Sequence, residues 1–212
     1  MSYQKISLEL KTKSVKLIAV SKLQTVEKIR QLYSLGQRRF AENYVQEATE
    51  KLTVTQDLPD IEWHFIGHLQ KNKVKNVVGL FEYIHSVDSI NLAEKINQQA
   101  QKKNLVQKIF VEVNLSNEAT KEGIQESELN EFLKSLEDLK HLTVVGLMTM
   151  PPLFEQPELS RPYFKNLKKL ASKFGFSELS MGTSSDYQVA IEEGATMVRL
   201  GTILFGERPR NQ

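Results

Sequence analysis

Lys22 follows the apolar run VKLIAV (15–20) with only Ser21 between them. A lysine that emerges from an apolar strand loses hydration, and desolvation favours the neutral amine, the form that attacks an aldehyde. Far along the chain stand two short glycine and hydroxyl clusters, Gly182-Thr183-Ser184-Ser185 and Gly201-Thr202. Glycine lets an anion approach backbone amides, Ser or Thr adds a hydroxyl donor, and a helix beginning near Asp186 adds its dipole. Each feature also has an ordinary reading. On spacing alone, a lysine snorkelling from a strand end to water accounts for Lys22 better, and a turn or N-cap accounts equally for each Gly-Ser/Thr pair.

The elements that must position these residues show a rhythm of short β-branched runs alternating with stretches of helical apolar spacing. Val15–Val20 reads as the first strand, and Val26, Ile29 and Tyr33 give the next segment one apolar face closed by Gly36. Strands are expected at 38–43, 62–66, 81–87, 109–115, 144–148, 178–181 and 197–205. Helices are expected at 44–52, through Val74, Val77 and Val78, at 90–101, through Leu129, Phe132, Leu133 and Leu136, and through Phe164, Leu167, Ala171 and Phe174 up to Gly175. A short helix runs from Asp186 to Gly194, and the first 13 residues form an extra N-terminal helix. Eight strand-helix units without a composition shift predict an α/β protein, a single TIM-like (β/α)8 barrel over residues 1–212. In such barrels function sits at the C-terminal strand ends, and the loops after strands seven and eight form the usual phosphate cradle. One lysine and one phosphate cup on that face point to a phosphorylated aldehyde.

Composition narrows the alternatives. Hydrophobic residues make up 40% of the chain and charged residues 25%, with a net charge of +2, which fits a globular protein rather than a disordered one. Cysteine is absent, excluding disulfides and thiolate-bound metals. The N-terminal residues show no signal-type apolar run, and no stretch reaches the roughly 20 apolar residues of a membrane helix, so a cytoplasmic location without a membrane partner is expected. The basic runs at Lys71, Lys73 and Lys75 and at Lys165, Lys168 and Lys169 lack interleaved aromatic residues and read as solvated helix faces, not a nucleic-acid surface. His64 and His68 are four apart, but WHFIGH reads as strand into turn, so the pair does not share a helix face as zinc ligands do. Neither GxSxG nor GxGxxG occurs.

The segments LIAVSK (17–22), FAENYVQE (40–47), WHFIGHLQKNK (63–73), HSVDS (85–89), VEVNLSNEATKEG (111–123), GLMTM (146–150), LSMGTSSD (179–186) and VRLGTILFGER (198–208) follow one another in a familiar order. Through them the chain resembles the pyridoxal phosphate homeostasis proteins over nearly its whole length. The resemblance implies a monomeric barrel similar to the N-terminal domain of alanine racemase, with pyridoxal 5'-phosphate (PLP) held as a Schiff base on Lys22. It further implies that Ser184, Gly201 and Thr202 bind the phosphate, that Arg199 faces the pyridine nitrogen, and that Asn43 lies by the ring. Two departures stand out: Thr183 occupies a position where the family usually has methionine, and the lysine motif continues as SKLQT (21–25) instead of SKTKP.

An arginine beside the ring nitrogen donates only and stays charged, so it leaves that nitrogen unprotonated and weakens the ring as an electron sink. Alanine racemases share that arginine but use a tyrosine from a second domain as the opposite acid/base group. This chain is expected to lack that domain, and one base on one face does not easily run a two-sided racemisation. The expected function is therefore PLP binding in vitamin B6 homeostasis without turnover, with PLP-dependent apo-enzymes as potential recipients. An amino-acid racemase is the alternative, and a phosphometabolite enzyme forming a carbinolamine on Lys22 is a more distant one.

Overall fold

The computed structural model describes residues 2–116 and 122–206. Eight parallel strands close on themselves. They are β1 (Lys16–Val20), β2 (Arg39–Glu42), β3 (Glu62–Phe65), β4 (Tyr83–Val87), β5 (Gln107–Asn114), β7 (Leu142–Met148), β8 (Glu178–Thr183) and β9 (Met197–Leu200), while the two-residue β6 (Ile124–Gln125) lies outside the ring on the end of β5. The order β4-β3-β2-β1-β9-β8-β7-β5 is completed by pairing of β4 with β5, and Lys16 beside Met197 joins the first strand to the last. The expected barrel and extra N-terminal helix are both present.

Alternation along each strand makes two cores, because successive side chains point to opposite faces. Ile18, Val20, Ala41, Phe110, Met148 and Met197 pack together in one cluster, the barrel lumen. Leu17, Ala19, Phe40, Phe65, Ile84, Ile109, Leu147, Leu179 and Val198 belong to a larger cluster against the surrounding helices. Those helices are α1 (Tyr3–Thr12), α2 (Val26–Ser34), α3 (Val45–Val54), α4 (Ile90–Lys102), α5 (Leu129–Leu136), α6 (Arg161–Phe174), α7 (Tyr187–Glu192) and α8 (Thr202–Phe205). In α6 the buried residues Phe164, Leu167, Leu170 and Ala171 recur at helical spacing, and Lys165, Lys168 and Lys169 occupy its wet side.

Two expectations need correction. The segment carrying Val74, Val77 and Val78 is no α-helix but a six-residue 3-10 helix, Lys71–Asn76, whose three lysines are exposed while Val74 is buried. The last strand stops at Leu200, and 202–205 turn into α8. Among the described residues no helix is long and apolar enough to cross a membrane.

Candidate functional site

At the end of β1 the chain does not leave the sheet at once. Ser21 N–H donates to Ala41 O (2.9 Å), and Gln24 N–H returns to Ser21 O (3.0 Å), closing a tight turn over Lys22 and Leu23. Leu23 has φ +60°, a left-handed conformation that costs a non-glycine residue about 1 kcal/mol. Contacts from α3 hold it there. Leu23 N–H donates to Glu47 Oε1 (2.6 Å), while Lys51 Nζ donates to Ser21 O (2.6 Å), Glu42 Oε1 (2.8 Å) and Glu47 Oε1 (2.6 Å). Ser21 Oγ donates to Glu42 Oε1 (2.6 Å). Burial pushes the Glu42 carboxyl up and the Lys51 ammonium opposes it. The half-buried Lys22 is thus carried on a turn whose backbone is clamped by a buried cation.

Asn43 stands at the end of β2. Its Oδ1 is buried without a hydrogen-bond partner, an arrangement that costs free energy unless a ligand supplies the missing group. The loop after β3 presses on it: a Cβ on Gly67 would lie 2.0 Å from Asn43 O, so only glycine permits this approach.

On the other side of β1, Arg199 of β9 points into the lumen and is 4% exposed. Its contacts are neutral. Nη1 donates to Ser180 Oγ (2.5 Å), and Nη2 donates to Thr149 O (3.0 Å) and to Met150 Sδ. These bonds leave Nε–H and one Nη1–H uncommitted, donors suited to an aromatic ring nitrogen that accepts. Burial lowers the guanidinium to about 10, opposed by Glu112 and Asp186, so it remains a cation at neutral pH. Burial raises Glu112 to about 8, with Glu122 and Asp88 adding to the rise and Arg199 opposing it.

The expected phosphate loops meet beside Arg199. Gly201 N–H (3.1 Å) and Ile203 N–H (3.5 Å) both donate to Ser184 Oγ, joining the end of β8 to the start of α8. Gly182 has φ +92°, and a Cβ there would lie 2.5 Å from Ala190 Cβ, so this glycine lets α7 close against the strand end. Thr183, where methionine is usual in the resembling family, has a local role: its N–H (2.7 Å) and Oγ1 (3.0 Å) both donate to Asp186 Oδ1. Gly201 is half-buried and Thr202 exposed.

The six expected residues fall on the C-terminal ends of four neighbouring strands in the order β2, β1, β9, β8. Asn43 and Lys22 occupy one half of this arc, and Arg199, Gly201, Thr202 and Ser184 the other. Reasoning from residue types missed the polar groups beneath it, namely Glu42, Lys51, Glu112 and the buried His64, His85 and Ser180. For His64, His85, Glu112 and Ser180 the available signal was a polar residue at an inward position of an otherwise apolar strand, whereas Glu42 and Lys51 face each other between β2 and α3. His68 is exposed and pairs with Glu122 (2.9 Å), and no group of three metal-ligating side chains occurs among the described residues.

The alanine racemase N-terminal domain family matches residues 3–209. The pyridoxal phosphate homeostasis protein of Aquifex aeolicus is 47% identical over 199 residues, covering 91% of this chain and 87% of its own. That of Synechocystis is 44% identical over 201 residues, covering 92% of each. Among solved structures, PipY of Synechococcus elongatus PCC7942 superposes with a TM-score of 0.89 without PLP and 0.88 with PLP bound, at 38% identity, covering 95% of this chain and 99% of that one. Alanine racemase of Clostridium difficile 630 superposes at 0.74 with 16% identity, covering 100% of this chain and 59% of its own, a likeness of fold alone. Fold and family match together define a barrel of the alanine racemase N-terminal-domain class. Within that class the chain belongs to the pyridoxal phosphate homeostasis protein family.

Proposed function

We propose that this chain binds PLP as a Schiff base on Lys22 and takes part in cellular PLP homeostasis without catalytic turnover. The observation that carries the reading is the arc of strand ends, which puts an amine, a donor-only cation and a two-loop hydroxyl and amide cup on adjacent strands. Lys22 would hold the aldehyde through its amine. Ser184, Gly201 and Thr202 would hold the phosphate, Arg199 would donate to the ring nitrogen, and Asn43, with its Oδ1 unpaired, would lie by the ring. When bound, PLP supplies an aldehyde and an electron-withdrawing ring. Arg199 limits the second property, because a cationic donor holds the ring nitrogen unprotonated. The same reading makes the protein a cytoplasmic monomer, with PLP-dependent apo-enzymes as recipients.

Borohydride reduction of PLP-loaded protein, followed by peptide mass mapping, tests the site. A visible absorption band should give way to a stable phosphopyridoxyl group on Lys22, absent in Lys22→Ala. A colourless protein that takes up no PLP, or an adduct on another lysine, overturns the reading. Appearance of D-alanine from L-alanine in the loaded protein would overturn only the absence of turnover.

A further inference from the structure

The lumen of a (β/α)8 barrel is ordinarily filled by branched apolar side chains. Here its middle is crossed by a continuous polar chain. Arg199 Nη1 donates to Ser180 Oγ (2.5 Å), Ser180 Oγ meets His85 Nδ1 (2.9 Å), His85 Nε2 meets His64 Nδ1 (2.9 Å), and His64 Nε2 meets Glu62 Oε1 (2.9 Å). Ser180, His85 and His64 are fully buried, and Glu62 opens to solvent at the start of β3, the end of the barrel opposite the arc. Aromatic rings hold the imidazoles in place: His85 stacks on Phe110 at 4.4 Å and His64 on Tyr83 at 4.8 Å.

The sense of this chain follows from its two ends. Guanidinium only donates and carboxylate only accepts. Ser180 must accept from Arg199, so its one hydrogen goes to His85 Nδ1. A neutral His85 then carries its proton on Nε2 and gives it to His64 Nδ1, which leaves His64 protonated on Nε2 toward Glu62. Reasoning upward from Glu62 gives the same two tautomers. Desolvation lowers both imidazoles, His85 well below its ordinary value, which keeps them neutral, while burial of Glu62 is outweighed by His64, Arg39 and Lys16. Every proton therefore points away from Arg199 and every lone pair toward it.

We infer that Glu62 is a positioning residue for Arg199, acting along a one-way hydrogen-bond relay through Ser180, His85 and His64 that fixes the guanidinium and carries the carboxylate's negative polarity to it. The inference deepens the proposed function, since it rests on Arg199 serving the PLP ring nitrogen. A polar network merely filling the lumen would affect stability. A relay also sets the electronic environment at its far end, since hydrogen bonds in series polarise one another.

Long-range 1H–15N correlation spectra of the 15N-labelled full chain, at pH 7.5 and without PLP, read the tautomers directly. His64 and His85 should both be neutral with the proton on Nε2, in the parent and in Glu62→Gln, whose amide oxygen still accepts. Glu62→Met leaves His64 Nε2–H without its carboxylate acceptor, so it should keep both tautomers but shift the His64 Nε2–H and Arg199 Nε–H resonances. After PLP loading, Glu62→Met should shift the visible band of the Lys22-bound cofactor, and Glu62→Gln, which keeps the acceptor but loses the charge, should shift it less. An imidazolium or an Nδ1–H tautomer at either histidine in the parent overturns the relay. So does a Glu62→Met protein whose Arg199 resonance and cofactor band match the parent. If no PLP attaches to Lys22, the proposed function fails while the histidine and Arg199 signals still judge the relay.

Discussion

Glu112 and Asn43 are individually unfavourable in the site as it stands, and each marks a measurable property. A carboxyl raised from 4.5 to about 8 binds a proton in the folded chain that the unfolded chain has released across that interval. Its contribution to stability is therefore full below pH 4.5 and is lost as pH climbs through 8, by an amount on the order of 5 kcal/mol. Glu112→Gln should flatten this slope, giving a protein more stable than the parent at pH 8 and equal to it near pH 4.5, as denaturant unfolding at the two pH values can show. Asn43 has the opposite balance between empty and loaded states. Asn43→Ala removes an acceptor that is already unpaired, so unfolding without PLP should change little, whereas PLP affinity should fall by about 1–2 kcal/mol, roughly tenfold. Equal losses in both measurements would mean that the amide serves the fold instead of the ligand.

Among the elements, α3 does the most to prepare the site. Glu47 and Lys51, one helical turn apart, reach from its face to the Lys22 turn and to Glu42. Lys51→Met leaves Glu42 buried without its cation, and breaking a buried pair in this way costs about 3–5 kcal/mol. The shift of the urea midpoint measures that cost, and a shift under 1 kcal/mol would show that the clamp contributes nothing net. Strand existence and order were legible in the sequence because short β-branched runs alternate with stretches of helical apolar spacing through eight units. The segment after β3 was misread because Val74, Val77 and Val78 suit an α-helix and a 3-10 turn alike. The lumen relay was not legible for a different reason. Its partners lie 21, 95 and 19 residues apart, so no local spacing reveals that His64, His85, Ser180 and Arg199 meet. Of the six site residues, Lys22 and the Gly-Ser/Thr clusters carried a chemical signal of their own, whereas Arg199 and Asn43 emerged only through the family resemblance.

The whole molecule gives these local effects a common readout. PLP that binds only the folded barrel stabilises it by mass action, by about 2.7 kcal/mol at a hundredfold excess over Kd. The melting temperature should therefore rise with PLP concentration in the parent and stay fixed in Lys22→Ala, and a rise of equal size in both would detach binding from Lys22. The pairing of Lys16 with Met197 also has a consequence for how this barrel comes into being. Lys22 is synthesised well before the loops at Ser184 and Gly201, so a chain emerging from the ribosome carries the amine long before the proposed cup exists. Such distant contacts form late, because closing a long loop costs entropy before the contact repays it. The proposed cofactor site is thus a seam, and its occupation would report that the ring has closed.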